Sequence, residues 1–391
     1  MPIEPREAAS NVEAPAKIAV FVADFSATGV VVNALAIAGE LLRRGADVRF
    51  VATRAEGTLR SSLPPGVVVT QLLPSGGRPP RRKRLRQSIL AYRRFLQSFA
   101  PGVLFSAGNH GHSTTVIAAA GRRGLRVVVR ISNELEHGSP GARRGFVARQ
   151  LRHFKFRRIA GAADRIVFVS QLLLRSWATI GATGGAKARV IPNGVDVEAV
   201  RRKAAEPCHH PWLTAGEVPV VLGVGRLVEQ KNFGTLIRAV ALASRSRPLR
   251  LLLIGDGPLG ASLLAQAAAA GLDDSFQIIP PVANLMPYLA SAAVVALPSW
   301  WEGASNVLLE AIACGTAVVA SRTAGSAEEL LQGGTYGLLV DPADAADIGH
   351  ALLKQVGRAP VLPGDRALRF SRQAALNAYA ELLIEEARSA A

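Results

Sequence analysis

The chain has 391 residues, 49% of them hydrophobic, enough to bury the cores of two or three domains, which excludes disorder as its general state. Lys and Arg total 46 against 29 Asp and Glu, so the net charge of +17 is expected to draw polyanions: nucleic acid, anionic lipid or phosphorylated substrates. Two distant cysteines, Cys208 and Cys314, without C-x-x-C spacing exclude a disulfide framework and a zinc site, and no apolar run reaches the roughly 18 to 20 residues that cross a bilayer, as fits a reducing cytoplasm.

Residues 1–16 carry Glu and Pro where a signal peptide needs a basic start and an apolar stretch, so a short disordered leader is expected there. From residue 17 onward, short β-branched runs alternate with longer Ala/Leu-rich stretches, the pattern of strand, loop and helix in a parallel sheet. Strands are expected over 17–23, 48–52, 67–70, 103–106, 126–131, 165–169 and 189–191, with a helix over 30–44. The turn signal Pro192-Asn193-Gly194 marks a boundary, after which the alternation restarts. A second set of strands is expected over 218–224, 249–254, 276–279, 293–297, 317–320 and 337–340. A final segment, about 367–387, is rich in Ala, Leu and Glu and reads as helix. The fold class is therefore α/β, with one domain over 17–192 and a second over 193–369, the helix of about 370–391 returning to the first.

The second set opens with Gly223-Val224-Gly225-Arg226, followed by Lys231 where a helix is expected to begin. Glycines let backbone amides approach an anion, and a helix start favours one. Arg226 adds a forked donor and Lys231 a point charge, a pair suited to a diphosphate. The same Gly-x-Gly would also serve an ordinary tight turn. A more specific run is Glu302-Gly303-Ala304-Ser305-Asn306-Val307, leading through Leu308 and Leu309 to Glu310. Here the amides of 303–307 lie near a helix N-terminus, where a phosphate or sugar oxygen meets unpaired N–H groups, and the two carboxylates are placed to take hydroxyls. Read plainly, Glu302 is a helix-start charge and Glu310 an exposed face residue. Against that, Glu310 is flanked by Leu308, Leu309, Ala311 and Ile312, and a carboxylate in apolar company needs a partner.

These motifs, in this order, resemble the retaining glycosyltransferases of family four. The likeness runs through Ile191-Pro192-Asn193-Gly194-Val195-Asp196, the Gly223 to Arg226 loop with Lys231, Ile254-Gly255-Asp256-Gly257-Pro258, the Glu302 to Glu310 pair, Cys314 to Ser321 and Tyr336 to Val340. The resemblance implies the GT-B fold, two facing Rossmann-like domains with a cleft between them. It implies that Arg226 and Lys231 hold the diphosphate of a nucleotide sugar, UDP by family frequency. Glu310 would then accept from the ribose hydroxyls, and Glu302, with Gly225 and the amides of Gly303, Ala304, Ser305, Asn306 and Val307, would hold the transferred sugar and phosphates. Arg226, Lys231 and Glu302 are the expected catalytic groups. No cofactor and no metal are expected, since no Asp-x-Asp pair occurs where a metal would sit. The first domain departs from the family pattern: its first loop has one glycine, in Thr28-Gly29, and Ile131-Ser132-Asn133-Glu134 stands where many relatives place a His. Gly29, Asn109, His110, Asn133 and Glu134 are thus candidates for contact with acceptor or sugar. His110 and His112 read equally as surface-loop residues.

Two basic stretches remain, Arg81 to Arg94 and Arg143 to Arg158. In the first, Leu85, Ile89, Tyr92 and Leu96 recur at helical spacing; in the second, Val147, Leu151 and Phe154 do. Each reads either as a solvated face or as an amphipathic helix resting on the anionic inner leaflet. The expected activity is transfer of a hexose or N-acetylhexosamine to a glycan or lipid-linked acceptor in cell-surface polysaccharide or lipopolysaccharide synthesis. A nucleotide-sugar epimerase of the same fold and a basic nucleic-acid-binding protein are the alternatives. The Arg226, Lys231, Glu302 and Glu310 set argues against the first, and the lack of a GxxxxGK[ST] loop, an RNA motif or interleaved aromatics against the second, so no nucleic-acid partner is expected.

Overall fold

The computed structural model describes residues 14–74, 81–108, 111–133, 146–182, 185–358 and 370–390. Asn109, His110, Glu134 and most of the expected leader lie outside them. The chain forms two compact units, one of residues 1–107, 114–128 and 380–391, the other of 108–113 and 129–379.

Strands β1 (Lys17–Val22), β2 (Asp47–Ala52), β3 (Val68–Gln71), β4 (Val103–Ser106), β5 (Arg126–Ile131), β6 (Arg165–Phe168) and β7 (Ala188–Val190) follow the order β3-β2-β1-β4-β5-β6-β7. Strands β1 and β2 run parallel with Lys17 opposite Asp47, and β1 and β4 parallel with Ile18 opposite Val103. Helices α1 (Gly29–Arg43), α2 (Arg81–Phe99), α3 (His112–Ala119), α4 (Phe146–Ala162) and α5 (Gln171–Ala178) link them. Gly29 is the first residue of α1 rather than part of a loop, because the Thr28 hydroxyl caps that helix by accepting from the Val31 amide. His112 is buried at the start of α3, so it is not a surface-loop residue.

The second sheet holds β8 (Val220–Val224), β9 (Arg250–Ile254), β10 (Phe276–Ile279), β11 (Val294–Leu297), β12 (Val318–Ser321) and β13 (Gly337–Val340) in the order β10-β9-β8-β11-β12-β13, every pair parallel. Its strands are apolar on both faces because helices cover both. Val221, Leu251, Leu253, Val294 and Ala296 pack with α8 (Phe233–Ser244), α9 (Gly260–Ala269) and α13 (Ala345–Gln355). Val220, Leu222, Leu252, Val295 and Leu297 point the other way, onto α6 (Val197–Ala204), α10 (Met286–Ser291), α11 (Asn306–Ala313) and α12 (Ala327–Leu331). A short α7 (Pro211–Thr214) precedes β8. The strand order reverses between β8 and β11, and in open α/β sheets such a switch point, at the carboxyl ends of the strands, is where ligands bind.

The closing helix α14 runs over Arg372–Arg388, starting later than the apolar pattern predicts. In the first unit its Glu386 carboxylate accepts from Arg126 Nε at 3.0 Å, and Gly102 lies so near Ala387 that a Cβ there would meet its carbonyl oxygen at 2.6 Å.

The two basic stretches differ. On α2, Tyr92 and Leu96 are buried in the core with Phe95 and Phe99, and the Tyr92 ring stacks on Phe21, whereas Leu85 is 44% exposed and Ile89 half-buried, so the second half of the apolar stripe is core. On α4, Val147, Leu151 and Phe154 are 69%, 66% and 63% exposed.

Candidate functional site

Strand β8 ends at Val224, and the chain turns at Gly225 with φ +146°, a conformation that L side chains rarely adopt. A Cβ at Gly225 would also meet the Lys231 side chain at 2.7 Å, so glycine here serves both the turn and the close passage of the lysine. Arg226 projects from this turn, exposed, and its guanidinium makes no hydrogen bond or ion pair among the described residues.

Lys231 ends a short 3-10 turn, Glu229–Lys231, and is followed by Asn232 in the left-handed region at φ +55°. The Asn232 amide donates to the carbonyls of Pro298 at 3.0 Å and Pro342 at 2.7 Å, while its oxygen accepts from the Thr235 hydroxyl at 2.7 Å. One buried side chain therefore ties the turn after β8 to the loops after β11 and β13. Gln230 adds two links: its carbonyl accepts from the Trp300 amide and its side chain donates to the Trp301 carbonyl, each at 2.9 Å. Asn232 and Gln230 as fasteners were not evident in the sequence, since their partners lie 66 or more residues away. The readable signal was a non-glycine residue at a turn that requires αL, where Asn is favoured.

These links bring Lys231 and Glu302 together. Lys231 Nζ donates to Glu302 Oε1 at 2.5 Å, and Ser299 Oγ donates to the same oxygen at 3.1 Å. Glu302 is 8% exposed, and its backbone N–H donates a hydrogen bond to the Thr323 carbonyl at 3.1 Å. The carboxylate is thus neutralised and hydrogen-bonded, as burial requires. The lysine read for the diphosphate and the glutamate read for the sugar are thus partners.

Beyond Glu302 the loop enters α11. Ser305 holds the N-cap position without a side-chain capping bond, and the amides of Gly303, Ala304, Ser305, Asn306 and Val307 find no acceptor among the described residues. These are the orphan donors of a helix start, aligned with the positive end of its dipole. Gly303 is buried against β5's exit: a Cβ there would collide with the Ser132 carbonyl and come within 3.0 Å of the Asn133 amide. Asn133 is thereby brought beside the loop that leads into α11. Gly29 belongs to the other unit.

Glu310 lies in the second turn of α11, whose Leu308, Leu309, Ala311 and Ile312 are buried. Its carboxylate makes no hydrogen bond or ion pair among the described residues. Desolvation holds its pKa above the ordinary 4.5, with Lys203 of α6 pulling the other way. One turn on, burial and the Glu310 charge push the Cys314 thiol up to about 12, which leaves it unreactive. A separate cavity of about 320 Å³ opens at that far end of α11, among Trp212, Arg247, Cys314 and Arg358, and none of the expected site residues lines it.

A raised carboxyl pKa costs stability only where the group ionises. Below pH 4.5 both folded and unfolded forms are protonated; as pH rises through the higher folded value, the buried charge opposes folding. Thermal unfolding followed from pH 4 to 8 should therefore show Glu310→Gln gaining on the wild type as pH rises, with no difference at the acid end. Parallel pH profiles would contradict an uncompensated carboxylate.

A family model described as Glycosyltransferase Family 4 matches residues 27–199, and one described as Glycosyl transferases group 1 matches residues 218–357. The chain is 34% identical over 155 residues to the N-acetylgalactosamine-N,N'-diacetylbacillosaminyl-diphospho-undecaprenol 4-alpha-N-acetylgalactosaminyltransferase of Campylobacter jejuni, covering 40% of each chain. It is 34% identical over 184 residues to the lipopolysaccharide core biosynthesis glycosyltransferase LpsE of Rhizobium meliloti, covering 44% of this chain and 51% of that one. The chain spans about half the length of the curated relatives it matches. Among solved structures, a glycosyltransferase from Rickettsia africae superposes with a TM-score of 0.74 at 15% identity, covering 96% of this chain and 99% of that one. HepE of Anabaena, crystallised with UDP, does so with 0.72 at 20% identity, covering 94% and 99%. At such identity the superpositions speak for the fold, two Rossmann-like domains of GT-B type. With its two parallel sheets and two consecutive family matches, the chain belongs to the group-one, family-four glycosyltransferases.

Proposed function

We propose that this chain transfers a hexose or N-acetylhexosamine from a nucleoside diphosphate sugar, UDP foremost, to a lipid-linked glycan acceptor in cell-surface polysaccharide or lipopolysaccharide assembly, with retention of anomeric configuration. The observation that carries the reading is the Lys231–Glu302 pair next to the start of α11, whose amides, like the Arg226 guanidinium at the same switch point, find no partner among the described residues. Cations and N–H donors on one side and carboxylates on the other suit a ligand that is anionic at its diphosphate and hydroxylated at its sugar and ribose. The names of the Campylobacter and Rhizobium relatives favour a lipid-linked or lipopolysaccharide acceptor, and the UDP in HepE favours that base.

In this reading the diphosphate takes Lys231 Nζ, Arg226 and the α11 amides, releasing Glu302 to a sugar hydroxyl, while Glu310 accepts from the ribose. The reaction breaks the bond from the anomeric carbon to the β-phosphate oxygen and forms one to an acceptor oxygen on the same face. The acceptor proton passes to the departing phosphate oxygen, so no protein base is needed. Negative charge grows on that phosphate in the transition state, and fixed cations stabilise it there more than in the ground state. The same groups supply the charge that a divalent metal would otherwise bring.

Transfer of labelled sugar from UDP, GDP and ADP conjugates into a membrane lipid extract tests the assignment. Arg226→Ala and Lys231→Ala should each lower turnover on the order of 100-fold while the proteins remain folded. Near wild-type rates in either variant would defeat it.

A lipid-borne acceptor requires an approach to the bilayer, and no helix among the described residues is long and apolar enough to cross one. Helix α4 supplies the surface for peripheral docking on the inner leaflet of the cytoplasmic membrane: Val147, Leu151 and Phe154 stand exposed among Arg149, Arg152, Lys155 and Arg158. The protein should float with anionic vesicles and not with neutral ones, and Leu151→Asp with Phe154→Asp should abolish flotation. Equal recovery with both lipids would sink the docking surface.

A further inference from the structure

Strand β5 carries a charge into the core: Arg130, in Val127-Val128-Val129-Arg130-Ile131, is 2% exposed. Its Nε donates to the Tyr379 hydroxyl of α14 at 3.0 Å, and its Nη2 donates to Asn193 Oδ1 at 2.7 Å. Asn193 Nδ2 in turn donates to Oδ1 of Asn306, the first residue of α11, at 3.0 Å.

The direction of this chain follows from chemistry rather than from how an amide was oriented. Arginine has donors and no acceptor, so the Asn193 amide must present its oxygen to Arg130. Its amino group is then the only branch left for Asn306, which must present its own oxygen in reply. The amino group of Asn306 remains, with no acceptor among the described residues, at the helix start whose amides are also unfilled. A neutral amide on a surface can turn either branch outward; this one is held in one sense by a buried cation.

We propose that Arg130 and Asn193 are positioning residues that lock the Asn306 side chain with its amino group turned toward the donor, so that Asn306 Nδ2 is an additional hydrogen-bond donor to the diphosphate. The inference rests on the nucleotide-sugar reading above. Asn306 would touch the substrate, while Arg130 and Asn193 act through it. Hydrogen bonds to charged groups are about twice as strong as neutral ones, so an amino group aimed at a phosphate oxygen favours binding and a carbonyl oxygen aimed there opposes it.

Asn193→Asp separates this role from a structural one. The carboxylate keeps the Arg130 contact and strengthens it, but it can no longer donate to Asn306. The Asn306 amide then turns over, gives its amino group to the new carboxylate and offers its oxygen to the ligand. Calorimetry with UDP, GDP and ADP, alongside thermal unfolding, should show Asn193→Asp melting at or above the wild type and binding the preferred nucleotide about tenfold or more weakly. Asn306→Ala should lose a similar factor, and Asn193→Asp in the Asn306→Ala background should lose nothing further. Wild-type affinity in Asn193→Asp, or a loss that persists without the Asn306 side chain, would overturn the proposal. So would a melting point well below wild type, because it would contradict the donor-only pairing with Arg130. If the wild type binds none of the three nucleotides, the functional reading fails first and this inference with it; binding indifferent to Asn193→Asp defeats the inference alone.

Discussion

The strand order of the second sheet reverses between β8 and β11, so the chain leaves β8 for α8 on one face and leaves β11 for α11 on the other, and the two exit loops meet at the carboxyl end of the sheet. Everything assigned to the donor hangs from that constraint. Gln230 and Asn232 fasten the two segments by hydrogen bonds to Trp301, Pro298 and Pro342, and Lys231, which stands between them in sequence, reaches Glu302. A lysine on a flexible stem loses considerable rotamer freedom when held; here the Lys231 side chain packs against Gly225 and is tied to Glu302.

The charges at this end of the sheet are arranged unevenly. Glu302 is neutralised by Lys231 and hydrogen-bonded by Ser299, whereas Arg226 and the amides at the start of α11 find no partner among the described residues, and Glu310 is kept in apolar surroundings that resist its ionisation. A diphosphate sugar would complete the set, taking the free donors and supplying hydroxyls to both carboxylates. Perturbed carboxyl groups are common at working sites, and the Glu310 pKa is raised by burial.

Much of this was legible in the sequence. The thirteen strands among the described residues fall where short apolar runs stand between turn signals, because a parallel sheet covered on both faces needs uninterrupted apolar strands, as in Leu251-Leu252-Leu253 of β9. The Gly225 to Lys231 turn and the Glu302 to Glu310 segment stand out in the sequence because glycine, cation and carboxylate spacing is local. Long-range partners were not: nothing near Asn232 announces Pro298 or Pro342, and nothing near Arg130 announces Tyr379 or Asn193, although an arginine inside a valine strand is itself a sign that partners exist. Periodicity alone also failed to say what an apolar helix side faces. On α2 Tyr92 and Leu96 meet the core, while on α4 the similar spacing of Val147, Leu151 and Phe154 meets solvent.

The central claim is that the β8 turn and the α11 start together hold a nucleoside diphosphate sugar. A ligand that binds only the folded state raises its apparent stability, by about 2.7 kcal/mol at 100 times its Kd, so thermal unfolding across UDP, GDP, ADP, their sugar conjugates and the free nucleosides is the direct measurement. The account predicts a shift confined to one nucleotide series, largest with a sugar conjugate and lost when the diphosphate is removed. No shift with any diphosphate, or an equal shift with the bare nucleoside, would contradict it.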